Sequence, residues 1–421
     1  MTDSTLSRAH HKCAIVILDG LGDLPTAQLG GKTPLEAADT PVMNRLAGAG
    51  RYGLVDPIGP GIVPNTHSGC GVLFGVLPED VAKLKRGPVE ASGAGRVLQP
   101  GEIALRTNFA TLEATGAGLR IVDRRAGRID ADTETLASEL RSVDLGDGVI
   151  AELHPTDQHR CVLVLSGPGL SPAISDTDPG DGGMPGFLQY SRPLDVSARK
   201  TAEKLNLFID KAHKMLVSHP VNRKRVLEGK LPATGILTRG AGEGFGLNNI
   251  VQKRGLKAVV VAGCNTVIGL ARTVGFGTRS DPRFTAAADT DLQAKVETVV
   301  AAFEDHDLVY VHIKAPDLFA HDHQPDNKRR FLECVDEALE RLEQAGSMIA
   351  IAADHSTDSN SGSHTADPIP ALIYNPADPA TVAAPVDFGE SLCAGGNMQR
   401  QSSHELLTRV LGALATNRMS N

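Results

Sequence analysis

The sequence lacks several features that would assign it at once to a common class of protein. It has no run of about eighteen apolar residues, and its start, MTDSTLSRAHHK, has no basic segment followed by an apolar one. We therefore expect no transmembrane helix, no membrane partner and a cytoplasmic location. The six cysteines are scattered without a Cys-x-x-Cys pair, which argues against a disulfide framework and against a cysteine zinc site.

An excess of positive charge is also absent. Lys and Arg number 42 against 50 Asp and Glu, so the formal net charge is -8 at pH 7. We predict no nucleic-acid partner, and an anionic ligand would need a local cluster of arginine, lysine or metal. The glycine-rich stretches DGLGDLP and RGAGEGFG have neither the spacing of a dinucleotide fingerprint nor the Lys-Ser/Thr of a phosphate loop, which argues against NAD.

Four short apolar runs are typical of fully buried strands: CAIVIL (13–18), KAVVVA (257–262), LVYVHI (308–313) and MIAIAA (348–353). Helical patterns lie between several of them. In the clearest, DNKRRFLECVDEALERLEQAG, we predict Asp326 as the N-cap and Gly346 as the end. Buried strands that alternate with helices predict an α/β domain with a mostly parallel sheet covered by helices.

The middle of the chain has a different character. From about Leu84 to about Asn249 it is richer in Gly and Pro and has alternating patterns such as EIALRTNFATL. A chain of 421 residues is long enough for two domains. We predict an α+β domain at 84–249, inserted into the α/β domain formed by 1–83 and 250–421.

Three of the predicted strands lead directly into acidic and histidine residues. In open α/β sheets ligands bind beyond the carboxyl ends of the strands, so these side chains could converge on one crevice. The residues concerned are Asp19, Asp317, His321, Asp354, His355 and the following His364. A lone Asp at such a place is usually a turn or a helix cap, so the spacing alone leaves a structural role and a metal site both open.

Carboxylate and imidazole groups suit zinc, manganese or iron. Asp317 and His321 are four residues apart, so both could face one point if the segment is helical. Two such ions about 4 Å apart would bind the attacking and the leaving oxygen of a phosphoryl transfer.

In these and further motifs the chain resembles the archaeal-type cofactor-independent phosphoglycerate mutases of the alkaline phosphatase superfamily. The resemblance spans almost the whole chain and rests on ILDGLGDLP, KTPLEAADTPVMNRLA, RGPVEASGAG, LRTNFATL, IVDRRAGRI, SDTDP, HPVNR, RGAG, HIKAPDLFAHD, ADHST and SHTADPIPALIY. It implies an alkaline-phosphatase-like metal-binding domain that is interrupted by a substrate-binding insertion.

The resemblance also implies two divalent metal ions, with Mn, Zn and Mg as the candidates, and no bisphosphoglycerate cofactor. The implied ligands are Asp19, Thr66, Asp354 and His355 for one ion and Asp317, His321 and His364 for the other. In the family a serine takes the phosphoryl group and returns it to the other hydroxyl of the glycerate, while the two metals stabilise the charge.

The loop VPNTHSGCG (63–71) departs from the family pattern. Family members usually have Gly-Ser-Asp-x-x-His or Asn-Ser-x-x-Gly-His here. In this chain Thr66 falls on the nucleophile, His67 on the usual Asp and Cys70 on the usual His. A threonine hydroxyl can serve as nucleophile when a metal lowers its pKa, and Ser68 is the backup candidate.

The inserted domain supplies local positive charge for an acidic substrate. Arginine binds carboxylate or phosphate with two parallel hydrogen bonds, which suits a three-carbon phosphoacid, although a surface ion pair is the ordinary role of any one arginine. Arg106, Arg125 and Arg128 are the first choices because they lie in matched motifs. The full set of candidates is Arg86, Arg106, Asn108, Arg125, Arg128, His159, Arg160, Arg239 and, outside the insertion, Lys314.

Three functions remain open at this point. The first is a two-metal phosphotransferase that interconverts 3- and 2-phosphoglycerate through phospho-Thr66. The second is an enzyme of phosphonate biosynthesis that transfers or hydrolyses a phosphonyl group, for example a phosphonoformyl group from a cytidine nucleotide conjugate to phosphoglycerate; Thr66, His67 and Cys70 suggest it. The third is a binding protein without catalysis, against which the intact metal positions argue. The substrate is a small phosphorylated or phosphonylated carboxylic acid in the first two.

Overall fold

The computed structural model describes residues 12–156, 158–180, 186–244, 249–378 and 386–419. The chain forms two compact units. The larger unit consists of Met1–Lys83 and Leu247–Asn421, and the smaller unit is Leu84–Gly246. The smaller unit is therefore an insertion in the sequence of the larger one.

The strands of the described residues are numbered in chain order. They are β1 Cys13–Leu18, β2 Arg51–Asp56, β3 Ile103–Thr115, β4 Gly118–Asp123, β5 Val143–Asp144, β6 Ile150–Pro155, β7 Arg160–Ser166, β8 Gly235–Glu243, β9 Ala258–Val261, β10 Gly277–Arg279, β11 Leu308–Ile313, β12 Met348–Ala352, β13 Ser356–Asp358, β14 Ser363–Thr365, β15 Ile369–Tyr374 and β16 Gln401–Ser402.

The α-helices of the same residues are numbered likewise. They are α1 Pro34–Ala37, α2 Pro41–Gly48, α3 Thr66–Leu73, α4 Arg86–Gly93, α5 Thr133–Ser138, α6 Arg199–Val217, α7 Pro220–Leu227, α8 Ile250–Lys253, α9 Asn265–Thr273, α10 Leu292–Ala302, α11 Ala315–His321, α12 Pro325–Glu343, α13 Glu390–Ala394 and α14 Ser403–Met419. None of the described helices combines the length and the hydropathy that a bilayer crossing requires.

A mostly parallel sheet organises the larger unit. Its strand order is β10-β9-β11-β1-β12-β15-β2-β16, and the pairs from β10 to β12 are all parallel. β15 runs antiparallel to both of its neighbours, β12 and β2. The four apolar runs of the sequence form β9, β11, β1 and β12, side by side in the centre, so the predicted fold class is confirmed.

The central strands are apolar along their whole length because both faces of the sheet are covered. All six residues of β1 and all six of β11 are buried. Two polar side chains of β11 are buried with them. Tyr310 donates a hydrogen bond from its hydroxyl to the Leu73 carbonyl oxygen at 2.9 Å, and His312 lies with Nε2 3.0 Å from Asp19 Oδ2.

Helix α12 has the predicted apolar face but a different beginning. Gln324 is at the N-cap position and Pro325 is the first helical residue, so the prediction of Asp326 as the N-cap is wrong. Proline is favoured at the first helical position because no intrahelical partner exists for an N–H there. Asp326 instead accepts a hydrogen bond from Arg329 Nε at 2.9 Å, and the helix ends at Glu343, before Gly346.

The smaller unit is built on an antiparallel sheet in the order β4-β3-β7-β6-β5, with β8 also paired to β3. Helix α6 packs on this sheet through buried residues such as Leu205 and Phe208. Arg106 lies opposite Arg239 of β8, and Asn108 lies opposite Arg160 of β7. Because Arg106 and Asn108 are two residues apart on a strand, their side chains point to the same face.

Candidate functional site

Three carboxylates of the larger unit meet at one edge of its sheet. Asp19 follows β1, Asp317 lies on α11 directly beyond β11, and Asp354 follows β12. The strands β11 and β12 flank β1 with parallel register, so their carboxyl ends are adjacent. All three carboxylates are buried, with at most 1% of each residue exposed.

The first candidate metal cluster consists of Asp19, Asp354 and His355. Their donor atoms all lie within 4.8 Å of one another. His355 Nε2 is 3.1 Å from Asp19 Oδ1, 3.4 Å from Asp354 Oδ2 and 3.5 Å from Thr66 Oγ1. Gly20 donates its N–H to Asp354 Oδ1 at 3.2 Å, and its φ of +64° is a conformation that glycine adopts without strain.

The second cluster surrounds Asp317. His321 Nε2 and His364 Nε2 lie 3.2 and 3.5 Å from Asp317 Oδ1 and 3.2 Å from each other. The other nitrogen of each ring is held by a backbone carbonyl oxygen, at 2.7 Å for His321 and 3.1 Å for His364. A carbonyl partner on one nitrogen fixes the ring and leaves the other nitrogen for a metal, as in established metal sites.

Thr357 and Lys314 connect the two clusters. The Thr357 hydroxyl donates to Asp317 Oδ1 at 2.7 Å and lies 3.0 Å from His355 Nδ1. Lys314 Nζ lies 2.6 Å from Asp317 Oδ2 and 3.0 Å from Asp19 Oδ1. Sequence reasoning missed Thr357, because a threonine two residues after a candidate metal ligand has no distinguishing local pattern.

Several ionisable groups of this centre have pKa values shifted from their ordinary values. Burial disfavours the charged form of Lys314, but Asp19, Asp317 and Asp354 outweigh it and hold the lysine pKa above its ordinary value. Burial, and then the charge of Asp19, raise the pKa of Asp354 well above its ordinary value. A hydrogen bond to Asp317 raises the pKa of His321. Divalent cations would replace such protons, so the donor set fits metal binding.

The loop before α3 presents one hydroxyl to this centre and uses another in the helix cap. Asn65 is the N-cap: its Oδ1 accepts from the Ser68 N–H at 3.1 Å, and Ser68 Oγ accepts from the Asn65 N–H at 2.9 Å. Thr66 Oγ1 instead lies 3.3 Å from Lys314 Nζ. Thus Thr66 faces the charged groups, whereas Ser68 completes a capping box; His67 is buried on the same turn.

Two further residues contact the buried carboxylates. His312, which sequence reasoning missed, is buried beside Asp19, and its only local signal is an imidazole within an apolar strand. Cys70 Sγ lies 3.9 Å from Asp354 Oδ2, and burial raises the pKa of the Cys70 thiol well above its ordinary value.

A pocket of about 240 Å³ lies within the smaller unit. Its lining brings together seven of the predicted substrate-binding residues, Arg86, Arg106, Asn108, Arg125, His159, Arg160 and Arg239, with Arg124, Thr107, Asp178 and Leu237. Arg128, a first choice from the sequence, is not in this lining. Lys314 belongs to the larger unit and lies among its carboxylates.

The pocket has a strongly positive lining that is organised around one acid. Asp178 is buried and lies with Oδ1 2.7 Å from Arg124 Nη2 and Oδ2 2.7 Å from Arg239 Nε. Burial, and then the neighbouring Arg86, lower the pKa of Arg106 to about 10. Burial and Arg160 lower the pKa of His159 to about 4, so its ring is neutral. Such a lining favours phosphate or carboxylate groups.

A family model and curated relatives of this chain carry the same description. A family model described as 2,3-bisphosphoglycerate-independent phosphoglycerate mutase matches residues 47–222. A curated protein of that name from Methanopyrus kandleri is 40% identical in an alignment of length 417 that covers 96% of each chain. One from Archaeoglobus fulgidus is 39% identical over 368 residues, 86% of this chain and 88% of the relative.

Two solved structures are similar to this chain over nearly its whole length. The cofactor-independent phosphoglycerate mutase from Thermoplasma acidophilum is 31% identical with a TM-score of 0.65, and the match covers 96% of this chain and all of that one. A protein from Pyrococcus horikoshii is 30% identical with a TM-score of 0.80 over 96% of this chain and 97% of that one.

Proposed function

The chain belongs to the family of 2,3-bisphosphoglycerate-independent phosphoglycerate mutases, and from this premise we propose that it interconverts 3- and 2-phosphoglycerate through a phosphorylated Thr66. The observation that carries the proposal is the position of the Thr66 hydroxyl. Its Oγ1 lies 3.5 Å from His355 Nε2 and 3.3 Å from Lys314 Nζ, beside the buried carboxylates.

The donor groups fit two divalent ions. Asp19, Asp354, His355 and the Thr66 hydroxyl would hold one, and Asp317, His321 and His364 would hold the other. Bound there, the ions would supply the positive charge that favours a deprotonated hydroxyl and neutralises a transferring phosphoryl group. Manganese, zinc and magnesium remain the candidates for these positions.

In the proposed reaction the phosphoryl group is transferred twice. The Thr66 hydroxyl gives up its proton and Oγ forms a bond to phosphorus as the bond from phosphorus to one glycerate oxygen breaks, and that glycerate oxygen takes up the proton. The other glycerate hydroxyl then attacks phosphorus as the bond from phosphorus to Thr66 Oγ breaks, and its proton returns to Thr66 Oγ. The ammonium of Lys314 stabilises the Thr66 alkoxide in both steps, and the N-terminal end of α3 favours the phosphoryl oxygens.

We assign the anionic end of the substrate to the arginine-lined pocket of the smaller unit. Its guanidinium groups suit a carboxylate, and its neutral His159 can donate or accept a hydrogen bond without adding charge. The smaller unit is, in this proposal, the substrate-binding domain, and no bisphosphoglycerate is required.

A phosphorus NMR time course of the metal-loaded protein with 3-phosphoglycerate tests the proposal. Appearance of the 2-phospho isomer supports it. A spectrum that stays unchanged, with manganese and then with zinc shown by elemental analysis to be bound, would overturn it. Heat-treated protein with the same metal is the control for uncatalysed isomerisation.

A second candidate keeps the same centre and changes the substrate. The observation behind it is the departure of Thr66, His67 and Cys70 from the loop pattern of the family. In this candidate an oxygen of phosphoglycerate forms a bond to the phosphorus of a cytidylyl-activated phosphonoformate, as the bond from that phosphorus to the nucleotide oxygen breaks and cytidine monophosphate leaves. The same NMR experiment with that donor distinguishes the two, because turnover of 3-phosphoglycerate alone contradicts the second.

A further inference from the structure

Cys70, His312 and Asp354 form a further group of metal-ligating side chains beside the clusters described above. They come from α3, from β11 and from the segment after β12, and all three are buried. Their donor atoms lie within 4.8 Å of one another. The proposed phosphoryl transfer uses neither the thiol of Cys70 nor the imidazole of His312.

The donor types of this group favour zinc. Thiolate and imidazole are ligands that zinc accepts readily, and magnesium prefers oxygen. With a Zn–S bond of about 2.3 Å and a Zn–O bond of about 2.1 Å, sulfur and oxygen at a tetrahedral ion are roughly 3.6 Å apart. The separation of Cys70 Sγ and Asp354 Oδ2 is 3.9 Å, so only a small contraction is needed.

The backbone holds these donors close together. A Cβ atom added to Gly69 would lie 1.9 Å from the Asp354 carbonyl oxygen, so any other residue there would push α3 and Cys70 away from Asp354. The hydrogen bond from Tyr310 to the Leu73 carbonyl oxygen ties the end of α3 to β11, the strand that carries His312. Donors fixed by packed elements make a preorganised site.

Asp19 lies beside the group formed by Cys70, His312 and Asp354. His312 Nε2 lies 3.0 Å from Asp19 Oδ2, so a fourth buried donor group borders this cluster. We propose that Cys70, His312 and Asp354 form a third metal position, which binds zinc through one sulfur, one nitrogen and one oxygen. It shares Asp354 with the position formed by Asp19 and His355.

Cobalt substitution of the full-length protein tests this position by absorption spectroscopy. A thiolate bound to Co²⁺ gives a near-ultraviolet charge-transfer band that oxygen and nitrogen ligands do not give. We expect the band in the unmodified chain, its loss in Cys70→Ser, and a fall of about one bound ion per chain in that variant. The band should persist in Cys264→Ser and in Cys334→Ser, which remove a half-buried and an exposed thiol. A band that is absent from the unmodified chain, or that survives Cys70→Ser, overturns the proposal.

X-ray absorption of the zinc-loaded, unmodified protein gives a second test that no folding defect can obscure. A sulfur shell at about 2.3 Å supports the position. A shell of nitrogen and oxygen alone overturns it and leaves Cys70 as a hydrogen-bond donor to Asp354. Both readouts are independent of turnover, so a failure here is distinguishable from a failure of the proposed mutase activity.

Discussion

Lys314 Nζ lies 3.3 Å from the hydroxyl oxygen of Thr66, and the same ammonium contacts Asp317 at 2.6 Å and Asp19 at 3.0 Å. One charge therefore serves two purposes. It reduces the repulsion between two buried carboxylates, and in the proposed mechanism it favours the deprotonated form of a hydroxyl that would otherwise be a weak nucleophile.

Thr66→Ala removes the hydroxyl and leaves the neighbouring donor groups. We expect mutase activity to fall by at least about 10³-fold, because the covalent intermediate can no longer form. Thr66→Ser is the matched control, since it keeps a hydroxyl at the same position and should retain measurable activity. Phosphorus NMR measures turnover, and elemental analysis measures the bound metal. Full activity of Thr66→Ala would transfer the nucleophile role to another hydroxyl.

Lys314→Met removes the ammonium without introducing a new polar group. We expect kcat to fall by roughly 10²- to 10³-fold, the usual cost of one charge-stabilising donor. Metal should bind at least as tightly as in the unmodified chain, because a cation that competes for Asp19 and Asp317 has gone. Calorimetric titration with Mn²⁺ measures this affinity, and Lys314→Arg, which keeps the charge, should restore the unmodified affinity. Weaker binding in Lys314→Met would contradict the electrostatic argument.

Metal removal should abolish activity reversibly. Chelation followed by dialysis should give inactive protein, and added Mn²⁺ or Zn²⁺ should restore turnover. Asp317→Asn should lose about one ion per chain. Loss of a hydrogen-bond partner of a metal ligand lowers metal affinity by roughly 10- to 100-fold, and loss of the ligand itself should lower the metal affinity further. Asp322→Asn, an exposed carboxyl directly after the same helix, is the control. Activity that survives complete chelation would exclude a metal-dependent mechanism.

The central strands and the place of the carboxylates were predictable because both follow from local pattern. CAIVIL and LVYVHI are continuous apolar runs, which is what burial on both faces of a parallel sheet requires. Since parallel strands end at one edge, Asp19 and Asp354 were expected near each other. The family resemblance, which the comparisons confirm, added the assignment of ligands to two ions.

The contributions of His312 and Thr357 were not predictable from local pattern. Each acts through a partner that is distant in sequence: His312 contacts Asp19, 293 residues away, and Thr357 contacts Asp317, 40 residues away. The arginines of the motif IVDRRAGRI show that a motif alone does not determine which of its residues line the pocket. Arg124 and Arg125 line it, whereas Arg128 lies at the end of the same turn with a φ of +55° and does not line it.

Arg106 offers a test of the trade-off between binding and stability. Its folded pKa of about 10 lies below the ordinary value of 12.5, so burying the charged guanidinium costs free energy at neutral pH. We expect Arg106→Gln to raise KM at least about 10-fold and to stabilise the protein by the order of 1 kcal/mol, about 2 to 4 °C in Tm. Arg120→Gln, at an exposed ion pair with Glu113, is the control. A lower Tm for Arg106→Gln would contradict the electrostatic account.

Glu390 belongs to a polar network that includes Thr33 and Asp23. Its carboxyl lies 2.6 Å from the Thr33 hydroxyl and accepts the Asp23 N–H at 3.2 Å. Burial raises the pKa of Glu390 from its ordinary value of 4.5 to about 7; Lys328 opposes the shift and Glu36 reinforces it. The carboxyl is therefore largely protonated in the folded chain at mildly acidic pH, while it is ionised in the unfolded chain.

The sign of the resulting pH dependence follows from proton counting. Between about pH 4.5 and 7 the folded state holds the Glu390 proton and the unfolded state does not, so stability falls as pH rises and levels off above about 7. The loss is up to about 3 kcal/mol for a shift of this size. Glu390→Gln keeps an acceptor for Thr33 and cannot ionise, so its free energy of unfolding should exceed that of the unmodified chain progressively from about pH 5 to about pH 8. Urea unfolding across this range, with Glu304→Gln as an exposed control, measures the difference. A difference that does not change with pH would mean that Glu390 ionises alike in both states.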